Sequence, residues 1–190
     1  MSEIDMTITV PTAQDIQAVG AAIGVNARSG DLVMLNGPLG AGKTTMTQGI
    51  ARALGIQARV QSPTFTIAQI HHGHDAQGSA LDLVHVDAYR LTSMEELDAL
   101  DLDTTLDEAL TVVEWGEGKT EVLSADRLEI TIERPEGSAS GEEPEDLLTD
   151  APRVLTLLSH GERSAQLARA VMDSPQVRSL VEQSVTEQNQ

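Results

Sequence analysis

The sequence predicts an α/β fold in which helices flank a mostly parallel central sheet. Short segments of strand type recur along the chain, and segments with helix start and stop signals lie between them. The chain has 190 residues, 40% of them hydrophobic, which is enough to bury one core. We therefore expect one domain over residues 1–161, followed by a partly flexible helical extension over residues 162–190.

Each predicted element has its own signal in the sequence. Alternating or continuous apolar residues predict strands at Met6–Val10, Leu32–Asn36, Phe65–His71, Leu81–Asp87, Leu110–Glu114, Leu128–Glu133 and Arg153–Leu158. Capping residues and helical spacing predict helices from Thr12 to about Arg28, over Thr44–Leu54, from Ser93, from Thr105 and over Arg163–Met172. We also expect a flexible acidic loop at about 134–152 and a frayed end after Pro175.

The acidic charge is concentrated in one block. The chain has 12 basic and 30 acidic residues, a formal net charge of −18, and residues 92–150 hold 19 of the acids against 3 bases. Because like charges repel, this block disfavours nucleic acid and acidic lipid as partners. One interpretation of this acidic block is that its charges lie on solvated helix faces and in an acidic loop. The alternative is that the block forms a docking face for a basic partner.

The residues that the chain lacks exclude several kinds of site. With no cysteine, it has no disulfide framework, thiolate metal site or cysteine nucleophile. The first residues show no secretory signal pattern, and no stretch of about 18 apolar residues occurs. We therefore expect a cytoplasmic protein with no membrane attachment.

A glycine-rich motif follows the second predicted strand. Residues 37–44, GPLGAGKT, match the P-loop pattern G-x-x-x-x-G-K-S/T without a mismatch. Glycines let successive backbone N–H groups point at phosphate oxygens, and the following helix adds its positive dipole end. Lys43 offers a charge to the phosphates and Thr44 a hydroxyl to Mg²⁺. The motif predicts a P-loop NTPase-like fold that binds a nucleoside triphosphate.

Two acids and one polar loop are candidates for the rest of the site. Asp87 ends the run LVHV, and Glu114 ends LTVV. Such acids at the carboxyl ends of parallel strands can hold Mg²⁺ or orient water, although an exposed acid is the alternative for each. Residues 62–66, SPTFT, occupy the position of a nucleotide-sensing switch or of a plain turn.

Five short motifs together resemble one family. The segments GPLGAGKTT, SPTFTI, HVDAYRL, EEL and VEWGE occur in this order over residues 37–117. This set is similar to the TsaE family (also called YjeE), and a weaker match extends over residues 7–160. The resemblance implies a bacterial P-loop ATPase that binds ATP and Mg²⁺. It also implies that the protein is required for the formation of threonylcarbamoyladenosine, the modification beside the anticodon in tRNAs that read codons beginning with adenosine.

The resemblance implies roles for most residues of the site. The phosphates are held by Gly37, Leu39, Gly40, Ala41, Gly42, Lys43, Thr44 and Thr45. Thr44 and Glu114 are the implied magnesium ligands. The implied catalytic residues are Asp87, Lys43 and Thr64, the last of these in the switch loop. In the family, the aspartate that Asp87 matches lies against the nucleotide.

The resemblance also covers positions outside the P-loop and the two acids. Thr12 is the best polar candidate for contact with adenine, and Arg153 the best match to an arginine close to the phosphates. Residues 89–91 and Trp115 match the mouth of the site, where we expect contact with a partner, and Glu95 or Glu96 matches an acidic pair. One departure is Gly116, where the family has proline, which is expected to loosen the turn that carries Trp115.

The implied partners are TsaD, which transfers the threonylcarbamoyl group, and TsaB. No residue is an obvious arginine finger in cis, so we expect slow ATP hydrolysis by the isolated chain and stimulation by this pair. The acidic charge predicts no tight nucleic-acid binding by the chain alone.

Three alternatives remain at this point. A small-molecule P-loop kinase needs basic lid residues, and residues 92–150 offer only Lys119, Arg127 and Arg134. A GTPase needs the guanine motif N-K-x-D, which the chain lacks. A nucleotide-dependent adaptor that never hydrolyses ATP is the third alternative.

Overall fold

The computed structural model describes residues 5–100, 102–134 and 151–187, and the predicted acidic loop lies almost entirely outside them. Seven described strands form one sheet: β1 (Asp5–Val10), β2 (Leu32–Asn36), β3 (Ala68–His71), β4 (Asp82–Asp87), β5 (Ala109–Glu114), β6 (Leu128–Glu133) and β7 (Arg153–Ser159). The described helices are α1 (Ala13–Asn26), α2 (Lys43–Ala53), α3 (Met94–Asp98), α4 (Asp103–Leu106), α5 (Glu162–Asp173) and α6 (Pro175–Glu187), with a 3₁₀ turn at Ala88–Arg90.

The strand order across the sheet is β1-β7-β6-β2-β5-β4-β3. The four central strands β6, β2, β5 and β4 are parallel, whereas β1, β7 and β3 pair with their neighbours in the antiparallel direction. This confirms the predicted α/β fold with a mostly parallel central sheet. Leu35 pairs with Glu114, and Glu114 pairs with Asp87, so the ends of β2, β5 and β4 meet at one edge.

The core has two parts, one on each face of the sheet. All residues of β2 and β5 are buried, as expected for parallel strands covered on both faces. Side chains from α1, α2, α5 and α6 form the larger cluster. Leu97, Leu102 and Leu106, from the α3–α4 region, cover the other face.

Helices α1 and α2 pack with almost no space between their backbones. A Cβ on Gly20 would lie 2.2 Å from the carbonyl oxygen of Met46, and a Cβ on Gly49 would lie 2.2 Å from that of Gln17. Only glycine permits this approach. The contact fixes α2, and with it the loop between β2 and α2, against α1.

The structure differs from the sequence prediction at three elements. The predicted strand from Phe65 starts only at Ala68, because the N–H groups of Thr66 and Ile67 donate to the carbonyl of Pro63 in a turn, and Ile67 has a φ of 67°. The predicted helix start at Thr105 is wrong, since α4 begins at Asp103.

The third difference lies after Pro175. The sequence predicted a frayed end, but α6 extends from Pro175 to Glu187, and its Val177 and Leu180 belong to the larger core cluster. The division of the chain at residue 161 stays a prediction. Among the described helices, none has the length and apolar character required to cross a bilayer.

Candidate functional site

The loop between β2 and α2 is fixed by its glycines. Gly37 and Gly42 have φ values of 138° and 116°, in the region that favours glycine. A Cβ on Gly37 would lie 2.3 Å from the carbonyl oxygen of Ile132, and one on Gly42 would lie 2.7 Å from Cδ1 of Ile16. The loop is therefore pressed against β6 on one side and α1 on the other.

Thr44, in the first turn of α2, contacts the end of β5. Its hydroxyl donates to the carboxylate of Glu114, at 3.0 Å from Oε1 and 3.2 Å from Oε2. Glu114 is 2% exposed. The Nε2 atom of His85 lies 2.8 Å from Oε1 of the same carboxylate. The two residues predicted as magnesium ligands are thus in direct contact.

Asp87, at the end of β4, is held by three donors. Its Oδ2 accepts hydrogen bonds from the hydroxyls of Ser62 and Thr64, each at 2.8 Å, and its Oδ1 accepts from the backbone N–H of Tyr89 at 3.0 Å. Asp87 is 3% exposed. The loop of residues 62–66 is therefore attached to β4 through this carboxylate.

Lys43 is held between the P-loop backbone and an aromatic ring. Its Nζ donates to the carbonyl oxygens of Gly37 and Pro38, at 2.7 and 2.9 Å, and lies 3.8 Å from the centre of the Trp115 ring. Burial lowers the pKa of Lys43, although the nearby Glu114 and Asp87 carboxylates act in the opposite direction.

Trp115 and Tyr89 form the aromatic wall of the site. Their ring centres are 5.3 Å apart, and Trp115 has a φ of 60°, which is unusual for a residue other than glycine. The following turn is closed by the N–H groups of Lys119 and Thr120, which donate to the carbonyl of Gly116. A Cβ on Gly116 would lie 2.2 Å from Oγ1 of Thr120, so this turn is built around glycine.

These residues enclose one cavity of about 450 Å³. It is lined by Leu39, Gly40, Ala41, Gly42, Lys43, Thr44, Thr45, Ser62, Thr64, Asp87, Tyr89, Glu114 and Trp115. The hydroxyl and carboxylate oxygens that meet at Thr44 and Glu114 are hard donors of the kind that Mg²⁺ prefers. The N–H groups of the loop and the Lys43 ammonium suit phosphate. The lining residues thus fit a nucleotide with Mg²⁺.

Three predicted contacts, Gly37, Thr12 and Arg153, do not line this cavity. The Thr12 side chain caps α1, with its hydroxyl 2.7 Å from Oδ2 of Asp15. Arg153 begins β7, is buried and bonds to the carbonyl of Ala151. It pairs with Val10 at the same edge of the sheet as the P-loop. Their predicted roles toward the nucleotide stay predictions.

The acidic pair after the HVDAYRL motif has a local role. Ser93 caps α3 by accepting from the N–H of Glu96, as predicted, and Glu96 accepts from the N–H and hydroxyl of Thr92. These hydrogen bonds lower the pKa of Glu96. Neither Glu95 nor Glu96 lines the cavity.

Sequence reasoning did not identify the hydrogen-bond partners of the two acids. The contact of Ser62 with Asp87 depends on the path of the loop before β3, and the contact of His85 with Glu114 depends on the register of β4 against β5. The sequence reveals neither by itself. Lys119 was also missed: its Nζ donates to the carbonyl of Ala88 at 2.9 Å and connects the turns that follow β4 and β5. The H-x-D spacing was the one available signal, because it puts His85 and Asp87 on the same face of a strand.

Comparison with known proteins gives a consistent result. The family model described as "Threonylcarbamoyl adenosine biosynthesis protein TsaE" matches residues 10–141. The tRNA threonylcarbamoyladenosine biosynthesis protein TsaE of Streptomyces coelicolor is 44% identical over 151 residues, which cover 79% of this chain and 94% of that protein. The protein of the same name from Mycobacterium tuberculosis is 44% identical over 134 residues, 67% of this chain and 79% of that protein.

The similarity extends to more distant bacteria and to a solved structure. TsaE of Bacillus subtilis is 38% identical over 122 residues, 64% of this chain and 73% of that protein. The crystal structure of Bacillus subtilis YdiB matches with a TM-score of 0.65 and 28% sequence identity, and the match covers 90% of this chain and 96% of that one.

Proposed function

Since the chain belongs to the TsaE family of tRNA threonylcarbamoyladenosine biosynthesis proteins, we propose that it binds ATP with Mg²⁺ and hydrolyses it slowly. The observation that carries this proposal is the contact of Thr44 with Glu114 beside the P-loop. A hydroxyl and a carboxylate meet there at the start of a helix whose N–H groups face the same cavity. Few arrangements other than a nucleotide–magnesium site need these groups together.

The residues of the cavity divide the work between binding and orientation. The backbone N–H groups of the P-loop and the Lys43 ammonium hold the phosphates, and Thr44 and Glu114 hold Mg²⁺. When bound, Mg²⁺ supplies positive charge to the phosphate oxygens. Asp87, immobilised by Ser62 and Thr64, orients the attacking water or accepts its proton.

The cavity lacks the charge that fast hydrolysis needs. Among the described residues that line it, Lys43 is the one cation. Leu39 and Tyr89, which line it, are 78% and 63% exposed, and Phe65, which follows the lining residue Thr64, is 86% exposed. A partner that covers these apolar side chains and adds a cation would complete the site. We propose that the TsaB–TsaD pair is this partner, and that the isolated acidic chain does not bind tRNA tightly.

Phosphate release from ATP, measured on the isolated chain with and without Mg²⁺, tests the catalytic part of the proposal. We expect slow, Mg²⁺-dependent release, and weaker competition by GTP than by unlabelled ATP. Binding of ATP with no release, alone or with the TsaB–TsaD pair, would instead support the non-hydrolysing adaptor. Transfer of the phosphoryl group to a small acceptor would support a kinase.

A further inference from the structure

The imidazole of His85 is placed beside the metal-site carboxylate by the register of two strands. Leu83 of β4 and Val112 of β5 belong to the core on the α2 face, whereas Val84 and Val113 belong to the core on the other face. Because side chains alternate along a strand, His85 and Glu114 both lie on the α2 face. Asp87 pairs directly with Glu114, so His85 is the diagonal neighbour of Glu114. This placement brings Nε2 to 2.8 Å from Oε1.

The direction of this hydrogen bond follows from its chemistry. An ionised carboxylate only accepts hydrogen bonds, so we assign the proton to Nε2 of His85. The imidazole is 0% exposed, and its Nδ1 is buried with no hydrogen-bond partner among the described residues. Burying the unpaired Nδ1 costs free energy, and a leucine at this position would fill the core without that cost. Packing alone therefore does not explain the histidine, whose one described hydrogen bond is to Glu114.

Glu114 accepts hydrogen bonds from two side chains, Thr44 and His85. Because Thr44 is itself a metal ligand in the proposed site, His85 is the donor that remains when Mg²⁺ binds. Oε1 accepts from Thr44 at 3.0 Å and from His85 at 2.8 Å. The Thr44 hydroxyl rotates freely about its C–O bond, whereas the His85 ring is fixed by the buried sheet. His85 thus keeps the carboxylate in place whatever the Thr44 hydroxyl contacts.

We propose that His85 is a positioning residue that orients the Glu114 carboxylate for a divalent cation. The inference rests on the proposed nucleotide–magnesium site and adds a residue to it. Hydrogen-bond partners of metal ligands typically change metal affinity by about 10- to 100-fold when they are removed. We expect an effect in this range on the Mg²⁺ requirement and little effect on nucleotide binding without metal.

The experiment uses the fluorescence of Trp115, the one tryptophan of the chain, which lines the cavity. MgCl₂ is titrated into the full chain with a saturating non-hydrolysable ATP analogue, and the half-maximal Mg²⁺ concentration is compared between variants. We expect His85→Leu and His85→Asn to raise it about 10-fold or more. His85→Gln, whose amide N–H can reach the position of Nε2, should remain close to the wild type.

Two controls separate positioning from a general loss of structure. Thr111→Val removes a buried hydroxyl from β5 on the opposite face and should not change the Mg²⁺ requirement. In a Glu114→Gln background, His85→Leu should add nothing to the Mg²⁺ requirement if it acts through that carboxylate. If His85→Leu does not fold, the comparison of His85→Gln with His85→Asn decides.

The possible failures are distinguishable. If the wild type binds the analogue without any Mg²⁺ dependence, the proposed metal site is wrong, and the inference falls with it. If the wild type depends on Mg²⁺ but the His85 variants require the same concentration as the wild type, the metal site stands and the role of His85 is overturned. An equal effect of Thr111→Val would also overturn it.

Discussion

The Thr44 hydroxyl and the Glu114 carboxylate are in hydrogen-bond contact although 70 positions separate them in the chain. The contact exists because β2 and β5 are parallel neighbours, so the helix that follows β2 and the last residue of β5 meet at one edge of the sheet. In the proposed site, this hydroxyl and this carboxylate would supply two of the six ligands of an octahedral Mg²⁺ ion. The following predictions test this interpretation and the fold that supports it.

Removal of the Thr44 hydroxyl should weaken the magnesium site. We expect Thr44→Val to raise the half-maximal Mg²⁺ concentration for nucleotide binding about 10-fold or more, because it removes an oxygen ligand. Thr44→Ser is the matched control, since serine keeps the hydroxyl and still fits the P-loop pattern. Calorimetric titration of both variants measures the difference. Equal Mg²⁺ requirements for the two would exclude Thr44 as a ligand.

Replacement of Asp87 should separate hydrolysis from binding. Asp87→Asn keeps the shape of the side chain but loses the negative charge, and we expect about 100-fold slower ATP hydrolysis with little change in ATP affinity. Asp82→Asn, at the start of the same strand and outside the main cavity, is the control and should keep the wild-type rate. Wild-type hydrolysis by Asp87→Asn would contradict the assigned role. If Asp87→Asn also supported the tRNA modification in cells, the adaptor would be favoured.

The buried charge of Lys43 should affect stability as a function of pH. Burial lowers the pKa of Lys43 in the folded chain, so between that pKa and the ordinary lysine value, about 10.4, the unfolded chain binds more protons. The free energy of unfolding then gains a contribution that rises with pH. Lys43→Met lacks this contribution.

Denaturant unfolding of both proteins at a series of pH values measures this effect. The stability difference should shift in favour of the wild type as the pH rises toward about 10.4, the ordinary lysine pKa. The variant should bind no ATP at any pH. A stability difference that does not vary with pH, or that shifts toward the variant, would contradict the effect of burial.

The contact between α1 and α2 should tolerate no side chain at Gly49. A methyl group there would meet the backbone of Gln17, which cannot move without shifting α1, and we expect Gly49→Ala to cost about 2–3 kcal/mol of unfolding free energy. Arg52→Ala, on the exposed face of α2, is the control for a substitution in this helix. Thermal unfolding compares them. A Gly49→Ala variant as stable as the wild type would show that the two backbones are further apart.

The sequence predicts the chemical parts of the site better than their connections. The P-loop, Thr44, Asp87 and Glu114 were predicted because each belongs to a local pattern at the end of a strand. The contact of His85 with Glu114 was not predicted, because a shift of one residue in the register of β4 against β5 would move His85 to the other face. The cation–π contact of Lys43 with Trp115 was not predicted either, and Trp115 has a positive φ, which local propensity disfavours.

The errors in the fold have two different causes. Ile67 favours a strand by propensity, but the carbonyl of Pro63 captures its N–H and that of Thr66, and β3 starts later. The end of the chain was expected to fray because chain ends commonly do, yet Val177 and Leu180 are spaced to bury one stripe of α6. The first difference comes from a local turn and the second from tertiary packing, and residue propensity alone predicts neither.

The central claim is that this cavity hydrolyses ATP and that a partner completes it. The most direct measurement is the ATP turnover rate of the chain alone and with the TsaB–TsaD pair, with Asp87→Asn as the control for contaminating ATPases. We predict slow turnover alone, clear stimulation by the pair and loss of both rates in the variant. Equal rates with and without the pair, or a stimulated rate that survives Asp87→Asn, would contradict it.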